Sequence, residues 1–504
     1  MNTMLEVITG DKREKVVRGL LDQFRHLLSE AAAVLTGPQS SFAEYERALL
    51  ELSNEACRLS VRDRLQTIAD QHVSKRLVIN GVLYQRHQEG SAQYHSLCGT
   101  VRVTRPTYRN AHERNGATVV PLELAAGLMH RATPALGYRV ALGYAQCPSR
   151  QLAAQLLASF RCAPSRSTLE RIGKAIGHDV KQHVAVIEPL VRDTQRLPDG
   201  VHAISVGLDR TTIPMHELLP PSASTSKTRP HRNRPYLRAR PEPCCVNYRM
   251  AYVGTVAFID EHGETLRSFR YGASADEGPE RVITSMLDDV RHAQRARRRR
   301  RKPLLPVGIV QDGAPEMWQL VRDALNGEPL THATYEAIDH YHVMEHLAGA
   351  LAVLPMAQHK RQQKLHEWSD ELQRDDAAID RVETFLRRQC RDYTKTCTQA
   401  QRRERYNDYA ALRDHTKYIT YNKDRMRYAT MRTAGLPIGS GVTEGACKSL
   451  VTVRTKGSGQ RWKSKGVNAV LTLRANFLSD RLEATVHSLR ILHTANITQS
   501  QRAA

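Results

Sequence analysis

The stretch Leu436–Leu450, LPIGSGVTEGACKSL, constrains the fold of this chain more than any other segment. Its proline and its two central glycines favour a turn and stop any preceding helix. The next residues, 442–453, predict a helix capped by Ser440, which places Glu444 in the first helical turn. A lone glutamate at that position would only complement the helix dipole, unless partner carboxylates lie elsewhere in the chain.

Two short apolar runs each lead into an aspartate. Residues 202–208 are followed by Asp209, and residues 305–311 are followed by Asp312. Apolar and β-branched residues over this length predict buried strands, so we expect both carboxylates where a strand ends. Two strand-end aspartates and a glutamate on a late helix form a three-carboxylate arrangement.

A basic segment follows the Glu444 helix and predicts contacts with DNA phosphates beside the carboxylates. Its cations are Lys448, Arg454, Lys456 and Arg461. Trp462, at the end of this segment, is either a stacking platform for a base or an anchor in the core.

The charge of the whole chain favours a polyanionic partner. It has 74 Lys and Arg against 52 Asp and Glu, a formal net charge of +22. Such an excess favours nucleic acid, because phosphate contacts release condensed counterions. An anionic membrane surface is the alternative, but no basic amphipathic helix with aromatic anchors supports it.

Other global features narrow the class of protein. No apolar stretch approaches the length of a membrane span and the first residues do not form a signal peptide, so we expect a cytoplasmic, nucleoid-associated protein. The nine cysteines contain no Cys-x-x-Cys pair. A disulfide framework and a structural zinc site are therefore not expected.

The text around the acids resembles a known family. The segments are Gly-Leu-Asp209, Val-Gln-Asp312-Gly-Ala, Ile-Asp339-His-Tyr-His342 and Gly-Ser-Gly-Val-Thr-Glu444-Gly-Ala-Cys-Lys. They resemble the ribonuclease H-like catalytic core of DDE transposases and, more narrowly, bacterial insertion-sequence transposases of the ISKra type. The resemblance is strong over the second half of the chain and extends to the first half only in outline.

This resemblance implies a multidomain α+β and α/β protein, with a ribonuclease H-like mixed sheet interrupted by an all-helical insertion. In chain order we expect N-terminal helices (1–75), a small β-hairpin region (76–125), a helix-turn-helix-like DNA-binding region (126–195), the first part of the core (200–342) with a basic Pro-rich loop (218–243), the insertion (343–430), the second part of the core (431–482) and a C-terminal tail (483–504) that frays after Arg490. Periodicity alone supports only a helical bundle over residues 343–430.

Two further basic elements are candidates for DNA contact. The helix-turn-helix pattern has Ser167 and Glu170 as a capping box, and its second helix presents Arg166 and Arg171. A plain helical hairpin gives the same pattern. The run at Arg298, Arg299 and Arg300 ends a predicted helix, where cations also favour the helix dipole or are simply solvated.

The resemblance implies a metal-dependent reaction on double-stranded DNA. Asp209, Asp312 and Glu444 would be the catalytic residues and the ligands of two Mg²⁺ ions, roughly 3.5–4 Å apart, for which Mn²⁺ may substitute. The expected activity is cleavage at the terminal inverted repeats, then strand transfer into target DNA by a homo-oligomer. A DNA-binding regulator with an inactive fold and a related DNA nuclease are the alternatives.

Asp339 and His342 allow two interpretations. Their spacing sets both near the start of one helix, and a similar element lies near the cleft in related transposases. Asp339 would then contact phosphate or support the carboxylates. Alternatively, Asp339 only caps the helix and His342 is an ordinary helical residue.

Overall fold

The computed structural model describes residues 18–19, 21–29, 41–113, 115–158, 164–218, 244–326, 334–396 and 406–499. The chain forms two compact units, Met1–Ile187 with Leu482–Ala504, and Glu188–Arg481. Most of the predicted basic loop, residues 219–243, lies outside the described residues. Among the described helices, none is long and apolar enough to cross a membrane.

Helices and strands are labelled in chain order. The helices are α1 Phe42–Asp70, α2 Pro121–Ala125, α3 Pro134–Gln146, α4 Arg150–Ala158, α5 Arg166–Gln182, α6 Val184–Thr194, α7 Glu280–Arg299, α8 Pro315–Leu325, α9 His340–Ala352, α10 Gln358–Arg374, α11 Ala378–Thr396, α12 Tyr406–Asn422, α13 Tyr428–Thr433, α14 Gly441–Ala446, α15 Val453–Thr455, α16 Ser464–Leu478 and α17 Leu482–His493. The strands are β1 Arg76–Ile79, β2 Val82–Ser96, β3 Gly99–Asn110, β4 Ala203–Leu218, β5 Cys244–Ile259, β6 Thr265–Ser274, β7 Val307–Gln311, β8 Thr334–Ile338 and β9 Ile497–Gln499.

The first unit is built on a four-stranded antiparallel sheet with the order β3-β2-β1-β9. The turn between β1 and β2 is Asn80-Gly81, and both residues have positive φ, 49° and 82°. This is the geometry that an Asn-Gly hairpin turn requires, so the predicted hairpin is confirmed. Helix α1 packs on this sheet, and Leu65 and Tyr94 are buried between them.

The predicted fraying after Arg490 is wrong for the described residues. Helix α17 runs to His493, and β9 then pairs with β1, with Ile497 opposite Ile79. Asn80 and Asn496 add two hydrogen bonds of 3.0 Å beside this pairing. A three-residue strand is too short to show a periodicity in sequence, which is why the pattern missed it.

In the helical part of the first unit, α5 is capped by Ser165 and not by Ser167. The Ser165 hydroxyl accepts from the backbone N–H of Thr168. Arg166 and Arg171 are both exposed on α5. The turn between α4 and α5 lies outside the described residues, so the helix-turn-helix stays a prediction.

The second unit is built on a five-stranded mixed sheet with the order β6-β5-β4-β7-β8. The first three strands of this unit, β4, β5 and β6, are antiparallel neighbours. Strands β7 and β8 are added in parallel on the other side of β4. This connectivity is the ribonuclease H-like mixed sheet, and the predicted fold class is confirmed.

Glycines allow helices to approach both faces of this sheet closely. A Cβ on Gly254 would meet Met286 and Val282 of α7 on one face. On the opposite face, a Cβ on Gly207 would overlap the hydroxyl of Thr443 in α14. The sheet therefore lies between α7 and the helix that carries Glu444.

The helical insertion is confirmed over its described residues. Helices α9 to α13 follow β8 without an intervening strand in the described part of this region. Leu347, Trp368, Leu386 and Leu412 join the same buried cluster as the sheet residues. The insertion is thus packed onto the sheet as part of one core.

We predict that truncation after His493 weakens the first unit locally, because β1 loses its partner strand. Amide hydrogen exchange over residues 76–84 should become faster in this variant. Truncation after Gln499 is the matched control and should leave exchange unchanged. Equal exchange in both truncated chains would show that β9 contributes nothing to the sheet.

Candidate carboxylate site

Asp209 lies inside β4 and not at its end, contrary to the prediction. The strand continues to Leu218, because residues 210–218 keep pairing with β5, beyond the end of β6 from Thr212 onward. The parallel pairing with β7 ends earlier, at Val206 and Ile309. Asp209 therefore lies three residues beyond the part of β4 that pairs in parallel with β7.

Asp312 follows the last residue of β7, as predicted. It lies three residues beyond the last parallel pair, as Asp209 does on its own strand, so the two acids reach the same level of the sheet. Burial raises the pKa of the Asp312 carboxyl, and the charge of Asp209 raises it further. The two carboxylates are therefore close enough to repel each other.

Helix α14 is held in place by hydrogen bonds from its middle and from the residue before its start. The Thr443 and Thr255 hydroxyls are 2.7 Å apart and buried. Ser440 precedes the helix, but its side chain does not cap the helix, contrary to the prediction. Its hydroxyl and its backbone N–H both donate to Asp339, the latter at 2.6 Å.

Cys447 connects this helix to Asp209. Its Sγ donates to Asp209 Oδ2 at 3.1 Å, while Asp209 Oδ1 accepts from the N–H of Arg210 at 2.6 Å. Burial and the neighbouring Asp209 raise the pKa of the Cys447 thiol, so the thiol keeps its proton and acts as a donor. Cys447 begins a π-helical segment, Cys447–Thr452, a local geometry that is frequent at functional sites.

Glu444 is in the first turn of α14, as predicted, one turn before Cys447. Its carboxylate pairs with Lys448 at 2.7 Å, and the two side chains are 58% and 70% exposed. Among the described residues, no group of three or more His, Cys, Asp or Glu side chains is arranged to hold a metal ion. The structure thus brings Asp209 and Asp312 together and leaves the Glu444 carboxylate on Lys448.

Asp339 is a structural residue in this geometry. It caps α9 by accepting from the N–H groups of Tyr341 and His342, at 2.6 and 3.2 Å. Its other oxygen takes the two bonds from Ser440, and the side chain is buried. His342 is half-buried and lies close enough to Asp312 that its protonated form would offset part of the rise in the pKa of that carboxyl.

The basic segment divides into buried and exposed side chains. Arg454 is 1% exposed and stacks over Trp462, 5.1 Å from its ring centroid, so its predicted contact with DNA is wrong for this structure. Trp462 is a core anchor: its Nε1 donates to the Thr455 carbonyl at 3.1 Å, and its backbone pairs beside Met215 of β4. The stacking-platform interpretation is therefore not supported.

The remaining cations are exposed. Lys456 donates to the Thr211 hydroxyl at 2.7 Å, which places its ammonium two residues along β4 from Asp209. Arg461 is also exposed. The run Arg298, Arg299 and Arg300 is exposed at the end of α7. Their contacts with DNA stay predictions.

The helical insertion contributes an aromatic wall to the site. Tyr418 of α12 packs against Gly313, the residue after Asp312, where a Cβ would overlap its ring. Burial raises the pKa of Tyr418, and the charges of Asp312 and Asp339 add to this effect. His346 of α9 stacks on the ring of Tyr418, with ring centroids 3.6 Å apart.

The donor set suits a hard divalent cation at Asp209 and Asp312. Both groups are carboxylates, which are preferred by Mg²⁺, and each is held by a backbone N–H. Burial and the charge of Asp209 together raise the pKa of Asp312, and a bound cation would oppose both effects. The two aspartates therefore suit the metal that the family resemblance implies, whereas the Glu444 carboxylate lies on Lys448 and does not join them.

Sequence reasoning missed Cys447 and Tyr418 as neighbours of the acids. The only local sequence signal for these two contacts was a glycine near each aspartate. Gly207 lies two positions before Asp209 on the same strand face, and Gly313 directly follows Asp312. Each glycine makes room for a helix that arrives from much later in the chain.

Comparison with known proteins adds little. No family model matches the chain. No curated protein matches it either. A solved structure, the Drosophila P element transposase strand transfer complex, matches with a TM-score of 0.23 and 11% identity, over 71% of this chain and 90% of that chain. A TM-score this low does not assign a fold, so the fold given above rests on the strand order of this chain.

We predict that Asp339→Ala lowers the free energy of unfolding by at least about 2 kcal/mol, since it removes a helix cap and leaves buried donors without an acceptor. Ser440→Ala, which removes only one of these bonds, should cost about 1 kcal/mol. Asp424→Ala, an exposed acid of the same insertion, is the control. Thermal melting measures all three, and equal melting temperatures would contradict the buried network.

We predict that Gly313→Ala destabilises the contact between the insertion and the sheet by roughly 1–3 kcal/mol, because Tyr418 is fixed between Gly313 and His346. Gly439→Ala is the matched control, since a Cβ there meets nothing within 4 Å. Tyr418→Leu in the Gly313→Ala background should restore part of the loss, measured by chemical denaturation. Strict additivity of the two changes would show that the residues do not interact.

Proposed function

We propose that this chain is a DDE transposase, similar to the ISKra-type enzymes of bacterial insertion sequences. The observation that supports this best is the placement of Asp209 and Asp312 at one level of two parallel neighbouring strands, beside the helix that carries Glu444. Cys447 touches Asp209 from that helix. The partner would be double-stranded DNA, and pairing of two ends would require at least a dimer.

Asp209 and Asp312 would hold divalent cations, and Glu444 would complete the set. Bound Mg²⁺ would supply charge stabilisation for the attacking and leaving oxygens of an in-line displacement at phosphorus. Asp209 is pre-oriented for this task by the Cys447 thiol and by the backbone N–H of Arg210. Asp312 is pre-oriented by the Ala314 N–H and by the Tyr418 wall.

The exposed cations near the acids would position the DNA. Lys456 lies beside Asp209 through Thr211, so its ammonium is available to a phosphate close to the carboxylates. Lys448 would exchange Glu444 for a phosphate oxygen, which frees the glutamate for the metal. Arg461 would extend this contact along the strand. Arg166, Arg171 and the Arg298–Arg300 run would bind the duplex away from the reacting bond.

A second candidate is a DNA-binding regulator that does not cut. The ion pair between Glu444 and Lys448 favours it, because this pair holds the third acid away from the other two. The two proposals differ in one measurable property, namely metal-dependent cleavage.

We predict that the purified chain nicks a labelled duplex from the DNA flanking its gene in Mg²⁺, releasing a free 3′-hydroxyl, and does not nick it in calcium or chelator. Asp312→Asn and Glu444→Gln should lower the rate at least about 100-fold with little change in DNA affinity, because each removes a metal ligand and no phosphate contact. Glu261→Gln, an exposed acid in the turn between β5 and β6 and far along the strands from Asp209, is the control. Tight binding without nicking in any ion would support the regulator, and cleavage without end joining would support a nuclease.

A further inference from the structure

A groove lies between α11 and α12 of the helical insertion, away from the carboxylates. It has a volume of about 680 Å³. Among the described side chains that line it, four are cations and none is acidic. They are Arg387 and Arg391 of α11, and Arg413 and Lys417 of α12. Cys390 and Thr416 form the floor, with Sγ and Oγ1 3.4 Å apart.

The cations form two rows that face each other. In each helix the two cations are four residues apart, so they lie on one face, about 6 Å apart along the axis. Glu383 pairs with Arg387 at 2.7 Å, and Asp414 lies 3.5 Å from Arg413. The described side chains that line the groove are nevertheless cationic and not acidic, and opposed rows of like charge are stabilised by an anion between them.

Two extended rows suit a polymer better than a single small anion. An isolated phosphate is bound best by donors that converge on one point. Each strand of duplex DNA presents one charge per about 3.4 Å of the helix axis, so about two phosphates of one strand fall within the length of each row. The groove therefore matches a nucleic-acid backbone.

Helix α12 joins this groove to the carboxylates. Lys417 lines the groove, and the next residue, Tyr418, packs on Gly313 beside Asp312. His415, two positions before Lys417, is 3.0 Å from His346 of α9 through their Nδ1 atoms. A backbone held in the groove is thus placed relative to Asp312 by one helix.

We propose that this groove binds the sugar-phosphate backbone of the same DNA duplex whose cleaved strand enters the carboxylate site. The identity of the duplex as the substrate rests on the proposed function, whereas binding of DNA in the groove does not. The insertion would then serve as a second DNA-binding surface, and α12 would set its position relative to the reacting bond.

The test compares two double variants with the same loss of charge. Arg391→Ala with Lys417→Ala removes one cation from each row. Arg374→Ala with Arg388→Ala removes two cations from the same insertion outside the groove, where the side chains are 81% and 74% exposed. Affinity for a short DNA duplex is measured over a series of salt concentrations in calcium, so that cleavage is not required.

The groove variant should bind more weakly, and its slope of log K against log salt should become shallower by about 1.8, since two phosphate contacts are lost. The control should keep the wild-type slope. Lys417→Ala alone should produce about half of this decrease in slope. Lys417→Arg, which keeps the charge, should retain the wild-type slope, and this result would exclude misfolding as the cause.

Three outcomes would overturn the proposal. Equal slopes in the groove variant and the wild type would show that the groove does not contact DNA. An equal loss in both double variants would show only unspecific attraction. Saturable binding of inorganic phosphate in the groove, with unchanged duplex affinity in the variant, would make it a small-anion site. Failure of wild-type cleavage in Mg²⁺ is a separate result that bears on the proposed function alone.

Discussion

The buried carboxylate of Asp339 determines how the second unit is assembled around its site. One oxygen takes the N–H groups that begin α9, and the other takes Ser440 at the start of α14. The end of the edge strand β8, the first helix of the insertion and the helix that carries Glu444 therefore meet at one side chain. Because a buried charge is tolerated only when donors surround it, this geometry is strongly specified.

The same residue explains why the insertion does not separate the acids. The chain leaves the sheet after β8, forms α9 to α13 and returns at Ser440, next to the point where it left. Thr443 then reaches Thr255 across the space above Gly207, and Cys447 reaches Asp209. The position of Glu444 in space is thus fixed by contacts on either side of it along the helix.

Much of this fold could be predicted from the sequence. The predictions failed where the structure depends on contacts between residues that are distant along the chain. The strand β7 and the position of Asp312 at its end were correct, because an apolar run followed by Asp-Gly is a local signal. The extension of β4 beyond Asp209 was missed, since the polar residues 210–212 interrupt the apolar run and the extension depends on pairing with β5 and with the backbone of Trp462. Burial of Arg454 under Trp462 depends on contacts that no local pattern contains.

The candidate site was predictable in its acids and not in their support. Asp209 and Asp312 could be named from strand patterns, whereas Cys447 and Tyr418 reach them from distant parts of the chain. Ser440 was expected to cap its own helix, as a serine before a helical segment usually does. Its hydroxyl instead bonds to Asp339, 101 positions earlier, and such a partner is visible only in three dimensions.

The contact that holds the Glu444 side chain is weaker than the contacts that position its helix, so the present position of this side chain does not argue against catalysis. Its pair with Lys448 is an exposed contact between residues four apart on a helix, and such pairs contribute little because solvent screens them. The contacts that place the helix are buried hydrogen bonds, each of which costs about 1–3 kcal/mol when a partner is left unsatisfied. Release of the Glu444 side chain from Lys448 is therefore inexpensive, whereas displacement of α14 is not. The structure fixes the backbone of Glu444 through buried contacts and holds its exposed side chain by a surface ion pair.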